Sequence, residues 1–254
     1  MIFDRRRYGK DNYVYLVAEG GDAALVDPGD PVVALGMAAA HGVRPRWILH
    51  THGHPDHTGG SATLRSRLGA RVLGHAGDAA RFAPDEDLAG RRELSLGALR
   101  VRVYEAPGHT PGSILFEVDG RLLTGDTLFW GGAGNCRSGG DPVRLARTFV
   151  TVFPALDGRL LVHPGHDYAE ANLPFVLALE PENAAARARL EAVRAARTAG
   201  AEPTPTTLAE ERAVNPFLRT GDREVRDAVA RRDGAGGASP EDVFVALRAL
   251  RDRA

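Results

Sequence analysis

The chain has 254 residues, 43% hydrophobic and 26% charged, a balance typical of a soluble globular protein with one domain and room for a small addition. Its net charge of −1 predicts no role for nucleic acid as a partner. The single cysteine, Cys136, excludes an internal disulfide framework, and no apolar run reaches the roughly 18 residues of a membrane span. We therefore expect a cytoplasmic protein without a membrane anchor.

Predicted strands alternate with predicted helices in the first part of the chain. Residues 12–18 and 23–26 are rich in β-branched and aromatic residues and flank a Gly-Gly-Asp turn, which predicts a hairpin. Further strands are predicted at 47–50, 70–75, 98–104, 113–118, 121–124 and 160–163. Helices are predicted at 31–41 and 142–152, and Thr58 is interpreted as the N-cap of another that runs through Leu68.

The character of the chain changes near residue 170, where strands give way to helices. The predicted helices are 169–179, 182–199, 222–232 and 240–252. This change predicts an α/β catalytic domain over residues 1–170 and a helical domain over residues 171–254.

A cluster of potential metal ligands follows the predicted strand at 47–50. His52, His54, Asp56 and His57 fall within six residues, and imidazole and carboxylate groups are common ligands of zinc-like ions. In a continuing strand, His52 and His54 would point to the same side because side chains alternate with period two. A turn at Pro55 would carry Asp56 and His57 to a second position, so the layout predicts two metals.

Three glycine-flanked motifs offer further ligands, namely His109, Asp126 and His166. Each motif alone is more often structural than metal-binding, but all three follow predicted strands. If those strands share an edge of a sheet, their side chains converge in one cleft. The other histidines are interpreted as structural: His41, His50, His75 and His163.

The ordered ligand set resembles the metallo-β-lactamase superfamily. The resemblance implies an α/β fold, the αβ/βα metallo-β-lactamase sandwich, here with a small C-terminal helical domain. It implies a first metal held by His52, His54 and His109, a second held by Asp56, His57 and His166, and Asp126 as the bridge. Asp126 and Asp56 are the implied catalytic residues. The implied cofactors are two divalent metal ions, zinc foremost, with iron or manganese as alternatives.

Further motifs resemble the glyoxalase II, or hydroxyacylglutathione hydrolase, family across nearly the whole chain. The motifs are Asp11-Asn12-Tyr13, Gly125-Asp126-Thr127-Leu128-Phe129, Gly165-His166-Asp167-Tyr168, Glu180-Pro181-Glu182-Asn183, Leu208-Ala209-Glu210-Glu211 and Asn215-Pro216-Phe217. The resemblance implies a thioester hydrolase that converts S-D-lactoylglutathione to D-lactate and glutathione by attack of a metal-bridging hydroxide. Residues 171–254 would bind the substrate, a small-molecule glutathione thioester.

The resemblance also implies substrate contacts by Tyr168, Arg248 and Arg251. The loop after Asp126 departs from the family, since Asn135 replaces a usual lysine or arginine and Arg137 replaces a usual tyrosine. We hypothesise that Arg137 contacts a substrate carboxylate. The family spelling also differs at Gly53 and Pro55, which are not ligand positions. Two interpretations of Asp27 are open: its side chain contacts a ligand histidine, or it caps the following turn.

Several other functions remain open at this point. One is a glutathione persulfide dioxygenase, an oxidoreductase of the same fold that uses one iron and is expected to lack the helical tail. Another is a thioesterase or lactonase with a non-glutathione substrate, which Asn135 and Arg137 keep open. A nuclease of the superfamily would need a basic surface, and a non-catalytic binding module would not need all of the ligand positions. The oligomeric state is not readable from the sequence.

Overall fold

The computed structural model describes residues 1–234 and 239–254. Within them, two six-stranded mixed sheets pack face to face around a shared core. The first sheet contains, in spatial order, β1 (Ile2–Tyr8), β2 (Asn12–Glu19), β3 (Asp22–Val26), β4 (Trp47–Leu49), β5 (Arg71–Gly74) and β6 (Glu86–Asp87). The chain then forms β7 (Glu93–Leu96), β8 (Leu99–Glu105), β9 (Ile114–Val118), β10 (Arg121–Gly125), a small hairpin of β11 (Leu128–Phe129) and β12 (Gly132–Ala133), β13 (Leu161–Pro164) and β14 (Thr206–Thr207). The second sheet has the spatial order β14, β13, β10, β9, β8, β7.

The helices of the described residues flank the sheets and fill the end of the chain. They are α1 (Pro31–Ala40), α2 (Pro55–Thr58), α3 (Ser61–Leu68), α4 (Pro142–Thr151), α5 (Ala169–Leu179), α6 (Ala184–Thr198), α7 (Leu208–Val214), α8 (Arg223–Asp233) and α9 (Pro240–Arg253). Capping explains several of their starts. The Asp30 side chain accepts from the amides of Val32 and Val33, and Ser239 forms a capping box with Asp242. None of these helices is both long and apolar enough to cross a membrane.

Strand β2 explains how the layers assemble. Tyr13, Tyr15 and Val17 point into the core between the two sheets, whereas Val14 and Leu16 belong to a second core beneath α1 and α3. Because side chains alternate along a strand, a strand covered on both faces must be apolar on both. Its continuous run of apolar and aromatic residues therefore predicts its central, doubly buried position.

The segment after residue 170 is joined to the second sheet by packing and by pairing. Helix α9 packs on α4, where Phe149 and Phe244 lie with ring centroids 4.8 Å apart, and Phe217 lies against Phe244 at 5.1 Å. Strand β14 pairs antiparallel with β13. These contacts set the C-terminal helices beside the hairpin β11–β12, close to the predicted ligands.

Most predicted elements are confirmed, but several predictions are wrong. Thr58 is not an N-cap, since it ends α2, and α3 starts only at Ser61 after Gly60. Strand β1 was not predicted, because consecutive charged residues from Asp4 to Arg7 mask its pattern. As an edge strand of its sheet, β1 pairs with β2, and of these charged residues Arg6 is exposed whereas Asp4, Arg5 and Arg7 are partly buried. Strands β6 and β7 and helix α7 were also missed, since they are short.

Candidate metal centre

The predicted ligands follow the carboxyl ends of strands from both sheets, on loops or, for Asp56 and His57, on the short helix α2. His52, His54, Asp56 and His57 follow β4, His109 follows β8, Asp126 follows β10 and His166 follows β13. Strands β10 and β13 are parallel neighbours, so the loops that follow them start at the same end of the second sheet. The loop after β4 reaches this end from the first sheet.

The strand-based placement of His52 and His54 is wrong, because β4 already ends at Leu49. The two histidines lie on a loop whose entry is held by Asp27. The amide of Thr51 donates to Asp27 Oδ1 at 2.9 Å, and its hydroxyl donates to Asp27 Oδ2 at 2.6 Å. Asp27 itself has a φ of +51°, a strained value for a non-glycine residue.

The loop after β4 also needs a glycine opposite it. Gly125 has a φ of +48°, and a Cβ there would lie 2.2 Å from the Thr51 hydroxyl. Only glycine accommodates both that backbone conformation and that close approach. This contact brings Thr51 against the end of β10, one residue before Asp126.

A first group of side chains contains His52, His54, His109 and Asp126, whose ligand atoms lie within 4.8 Å of one another. His54 Nδ1 lies 3.1 Å from His52 Nε2 and 3.0 Å from His109 Nε2. Asp126 Oδ2 lies 3.6 Å from His109 Nε2. Three imidazoles and a carboxylate therefore face one point.

A second group contains Asp56, His57 and His166. The Nε2 atoms of His57 and His166 are 3.1 Å apart, and Asp56 Oδ2 lies 3.3 Å from His166 Nε2. Asp126 reaches this group too, with Oδ1 3.3 Å from His57 Nε2 and Oδ2 3.3 Å from His166 Nε2. Asp126 thus lies between the two groups.

The outward-facing nitrogen of each histidine in these groups lies near an oxygen. The pairs are His52 Nδ1 with Thr51 Oγ1 (3.1 Å), His54 Nε2 with Ser138 O (3.3 Å), His57 Nδ1 with Asp27 Oδ2 (3.2 Å), His109 Nδ1 with Asn135 O (2.7 Å) and His166 Nδ1 with Asp11 Oδ1 (2.8 Å). Such partners favour the tautomer whose N–H points outward and whose lone pair points inward. Converging lone pairs beside the buried, unpartnered Asp126 Oδ1 fit divalent cations.

The electrostatics of the cluster favour positive charge at its centre. Burial raises the pKa of Asp126, but His57 and His166 outweigh it and hold that pKa well below its usual range. Burial lowers the pKa of His57 and of His166, yet the Asp126 carboxylate raises both, that of His166 to about 10. The carboxylate is therefore anionic, and the site attracts cations of either kind, protons or metals.

Asp27 contacts a predicted ligand, His57, and its side chain does not cap the turn after it. Its carboxylate lies 3.2 Å from His57 Nδ1 and also accepts both bonds from Thr51. Of the remaining histidines, His50 and His163 are buried but belong to neither group, and His41 and His75 pair with Asp4 and Glu105 near the surface.

A polar cleft of about 340 Å³ adjoins the metal centre, and every predicted substrate contact lines it. The lining residues are Phe129, Ala133, Asn135, Arg137, Tyr168, Asn172, Arg248, Arg251, Asp252 and Ala254. The Tyr168 ring stacks on the His166 imidazole with centroids 4.8 Å apart and 8° between the planes. The cleft and the metal centre therefore share a wall.

The arginines of this cleft are already paired within the protein. Arg248, only 7% exposed, donates to Ala133 O at 2.7 Å and to Asp252 Oδ1 at 2.9 Å. It is therefore not part of a solvated helix face. Arg137 is largely exposed and donates to the backbone oxygen of Asp252 at 2.6 Å. The Asn135 side chain accepts a hydrogen bond from the Arg137 amide. Because it is neutral, it brings no charge to the cleft.

A larger groove of about 1170 Å³ lies away from this chemistry. Its lining includes Arg92, Arg102, Tyr104, Glu117 and Arg159, and none of the predicted site residues. Arg102 pairs with Glu117, and Arg159 pairs with Asp157. The volume of a cleft is therefore a poorer guide to this site than the convergence of ligating atoms.

Sequence reasoning missed three side chains that support the metal centre. Asp11 contacts His166, Asn12 Nδ2 donates to Asp56 Oδ2 at 3.0 Å, and Asp78 accepts from the amide of Gly53 at 2.8 Å. The Asp-Asn-Tyr motif was noticed only as part of a family resemblance. Nothing in the local pattern around Asp78 indicates its role.

Comparison with known proteins agrees with this geometry. Residues 7–167 match the family model of the metallo-beta-lactamase superfamily, and residues 167–254 match that of the hydroxyacylglutathione hydrolase C-terminus. A hydroxyacylglutathione hydrolase of Anaeromyxobacter dehalogenans is 70% identical over the full length of both chains. Another, of Acidiphilium cryptum, is 41% identical over 84% of this chain and 88% of its own.

Solved structures show the same fold. ETHE1 from Myxococcus xanthus superposes with a TM-score of 0.69 and 26% identity over 99% of this chain and 98% of its own. TTHA1623, solved in a di-iron-bound form, superposes with a TM-score of 0.64 and 26% identity over 85% of this chain and 100% of its own.

The fold and the paired histidine–aspartate groups define a metallo-β-lactamase superfamily protein with a dinuclear metal site. The predicted fold class is thereby confirmed. Within that superfamily, the chain belongs to the hydroxyacylglutathione hydrolase, or glyoxalase II, family, and it is a metal-dependent thioester hydrolase.

Proposed function

We propose that this enzyme hydrolyses S-D-lactoylglutathione to D-lactate and glutathione in the cytoplasm. The observation that carries the proposal is the 70% identity to a hydroxyacylglutathione hydrolase over the full chain, C-terminal helices included. In the reaction the carbonyl carbon exchanges its bond to sulfur for a bond to a water oxygen. The glutathione sulfur leaves as a thiolate and takes up the remaining proton.

We assign the ligands as the two groups suggest. His52, His54 and His109 would hold the first ion, Asp56, His57 and His166 would hold the second, and Asp126, which faces both groups, would serve both ions. We propose zinc as the native metal, with iron or manganese as alternatives that the same donors accept. Bound ions of this kind lower the pKa of water and polarise a carbonyl, which supplies a nucleophile at neutral pH.

The carboxylates of the chain have distinct tasks in this proposal. Asp126 is buried and anionic, so it can accept a hydrogen bond from the attacking water and set its direction towards the carbonyl carbon. Asp56 is half exposed and held by Asn12, so its carboxylate would be accessible to solvent and would take part in catalysis as a ligand of the second ion. A thiolate, with a parent pKa of about 8.5, leaves without a strong general acid. The site correspondingly needs no further acid.

The adjoining cleft would hold the glutathione part, with residues 171–254 as the substrate-binding domain. Arg248 and Arg251 supply positive charge from α9, and Tyr168 closes the cleft towards His166. Arg137 would contact a substrate carboxylate from the exposed side, where the family usually has a tyrosine. Asn135 would contribute its backbone oxygen to His109 and a neutral side chain to the cleft.

The decisive experiment follows the loss of thioester absorbance when metal-loaded enzyme meets S-D-lactoylglutathione. We expect saturable hydrolysis that disappears on metal removal and returns when zinc is restored. No loss of absorbance at any metal content would overturn the proposal. A parallel panel of acyl-glutathione and acyl-CoA thioesters identifies the thiol carrier, since Asn135 and Arg137 depart from the family at this cleft.

The alternative function, that of a glutathione persulfide dioxygenase, has a separate test. The structural match to ETHE1 at 26% identity is weaker than the match to hydroxyacylglutathione hydrolases, so we place this alternative second. Oxygen consumption by the iron-loaded protein with glutathione persulfide would favour it. We expect none.

A further inference from the structure

A buried carboxylate outside the ligand set lies behind the first metal-binding group. Asp78 ends the single 3₁₀ turn Ala76–Asp78, which lies between β5 and β6 of the first sheet. It is only 2% exposed. Burying a carboxylate costs free energy unless several donors stabilise it, so its hydrogen-bond partners show which parts of the chain it links.

The partners of Asp78 are the two loops that carry the histidines of the first group. Oδ2 accepts from the amide of Gly53 at 2.8 Å and from the hydroxyl of Thr110 at 2.6 Å, and Oδ1 accepts from the amide of Gly112 at 3.2 Å. Gly53 lies between His52 and His54, and Thr110 directly follows His109. One side chain therefore bonds to both loops beside their ligands.

Arg81, three residues after Asp78, supports His54 from its other side. The Arg81 guanidinium donates to Ser138 O at 2.7 Å, and that oxygen also lies 3.3 Å from His54 Nε2. A Cβ on Gly53 would lie 2.8 Å from Asp78 Cβ and 3.0 Å from Arg81 Cδ. Glycine at position 53 therefore allows Asp78 and Arg81 to approach the ligand loop this closely.

We infer that Asp78 is a positioning residue that sets the spacing of His52 and His54 relative to His109, and hence the metal affinity of the first site. The two loops follow strands of different sheets, β4 and β8. A backbone bond from the Ile114 amide to Thr51 O, at 2.8 Å, joins them outside the ligand positions. The carboxylate of Asp78 links them beside the ligands themselves. The second group has separate supports, Asp11 on His166 and Asn12 on Asp56. Loss of Asp78 therefore weakens one site selectively.

This inference rests on the proposed ligand assignment but not on the substrate, because its test measures metal binding alone. In the Asp78→Asn variant an amide N–H₂ replaces one acceptor and faces a donor. Removing such support typically weakens metal affinity about tenfold to a hundredfold. We expect that loss at the first site and a change below about twofold at the second. The matched variant Asp11→Asn should show the reverse pattern.

The measurement is zinc occupancy of each site in crystals equilibrated at a series of buffered free zinc concentrations, read from anomalous scattering. Competition with a chelator in solution gives the affinities. A merely structural role would lower both affinities together, along with the unfolding temperature of the metal-free protein. That outcome, or wild-type affinity at the first site, would overturn the inference.

A second pair of variants keeps the test decisive if Asp78→Asn does not fold. Thr110→Val removes the hydroxyl that donates to Asp78 but keeps the side-chain volume, whereas Thr110→Ser keeps the hydroxyl. We expect several-fold weaker zinc binding at the first site for Thr110→Val and near wild-type binding for Thr110→Ser. Equal affinity of the two variants would also contradict the inference.

Discussion

The metal centre and the polar cleft beside it share the wall formed by His166 and Tyr168 but are built in different ways. In the metal centre most of the predicted ligands are buried, and the outer nitrogens of His57, His109 and His166 each lie near an oxygen from a distant part of the chain. In the cleft, long arginine side chains are held by Asp252 and by backbone oxygens, and Arg137 remains largely exposed.

This difference separates the two tasks of the enzyme. Metal ligation tolerates little movement, so several fixed contacts determine each ligand. In our proposal, substrate binding rests on arginines that already have partners within the protein, so each would contribute the free energy of its substrate contacts less that of the internal contacts it gives up. Substitutions in the metal centre should therefore act on kcat by large factors, and those in the cleft on KM by smaller ones.

The largest effect is expected at the residue between the two metal groups. Asp126→Asn removes a negative charge that faces both groups, so we expect kcat to fall by about a thousandfold, or roughly 4 kcal/mol of transition-state stabilisation. Steady-state kinetics and metal analysis measure the change. Asp119→Asn, at an exposed turn, is the control and should retain activity. Near wild-type kcat in the Asp126 variant would contradict its bridging role.

A smaller effect, on KM, is expected from the buried arginine of the cleft. Arg248→Met keeps much of the side-chain volume but removes the charge, so KM should rise about tenfold to a hundredfold, the equivalent of a charged hydrogen bond. Kinetics with S-D-lactoylglutathione and a thermal unfolding scan separate binding from stability. Arg253→Met, on the same helix but exposed, is the control. A loss of kcat at constant KM would assign Arg248 to the metal centre instead.

The third effect, on stability, is expected at a buried histidine outside the predicted ligand set. Burial lowers the pKa of His163 to about 3, from 6.5. As pH falls below 6.5, the unfolded chain takes up a proton that the folded protein excludes, so stability decreases towards pH 3. The cost is roughly 1.4 kcal/mol at pH 5.5. His163→Phe should remove it, which urea unfolding at pH 7 and 5.5 measures, and an unchanged pH dependence would count against this explanation.

The smallest effect is expected at the exposed edge of the cleft. Arg137→Ala should raise KM only about twofold to fivefold, the range of a solvent-exposed ion pair, and should leave kcat unchanged. The effect should shrink as salt concentration rises, because exposed charges are screened. Arg159→Ala, in the larger groove, serves as the control. An unchanged KM for Arg137→Ala would refute a contact with the substrate carboxylate.

Local patterns in the sequence determined the longer central strands and most of the helices, and they indicated the candidate ligands. The double-sided apolar run of β2, the caps of α1 and α9, and the spacing from His52 to His57 all encode local geometry, which a short segment carries by itself. The ordered ligand set from His52 to His166 indicated the superfamily, and Tyr168 with the motifs of the helical tail narrowed the resemblance to the family. A pattern fails where charge masks it, as in β1, or where an element is too short, as in β6.

The supports of the site were decided only by the tertiary structure. Asp11 and His166 are 155 positions apart, Asp78 and Thr110 are 32 apart, and Arg137 reaches Asp252 across 115. Such contacts arise from the packing of two sheets and a helical segment, and no spacing along the chain encodes them. The sequence alone determined which side chains can bind metal. Packing determined which other side chains hold them in place.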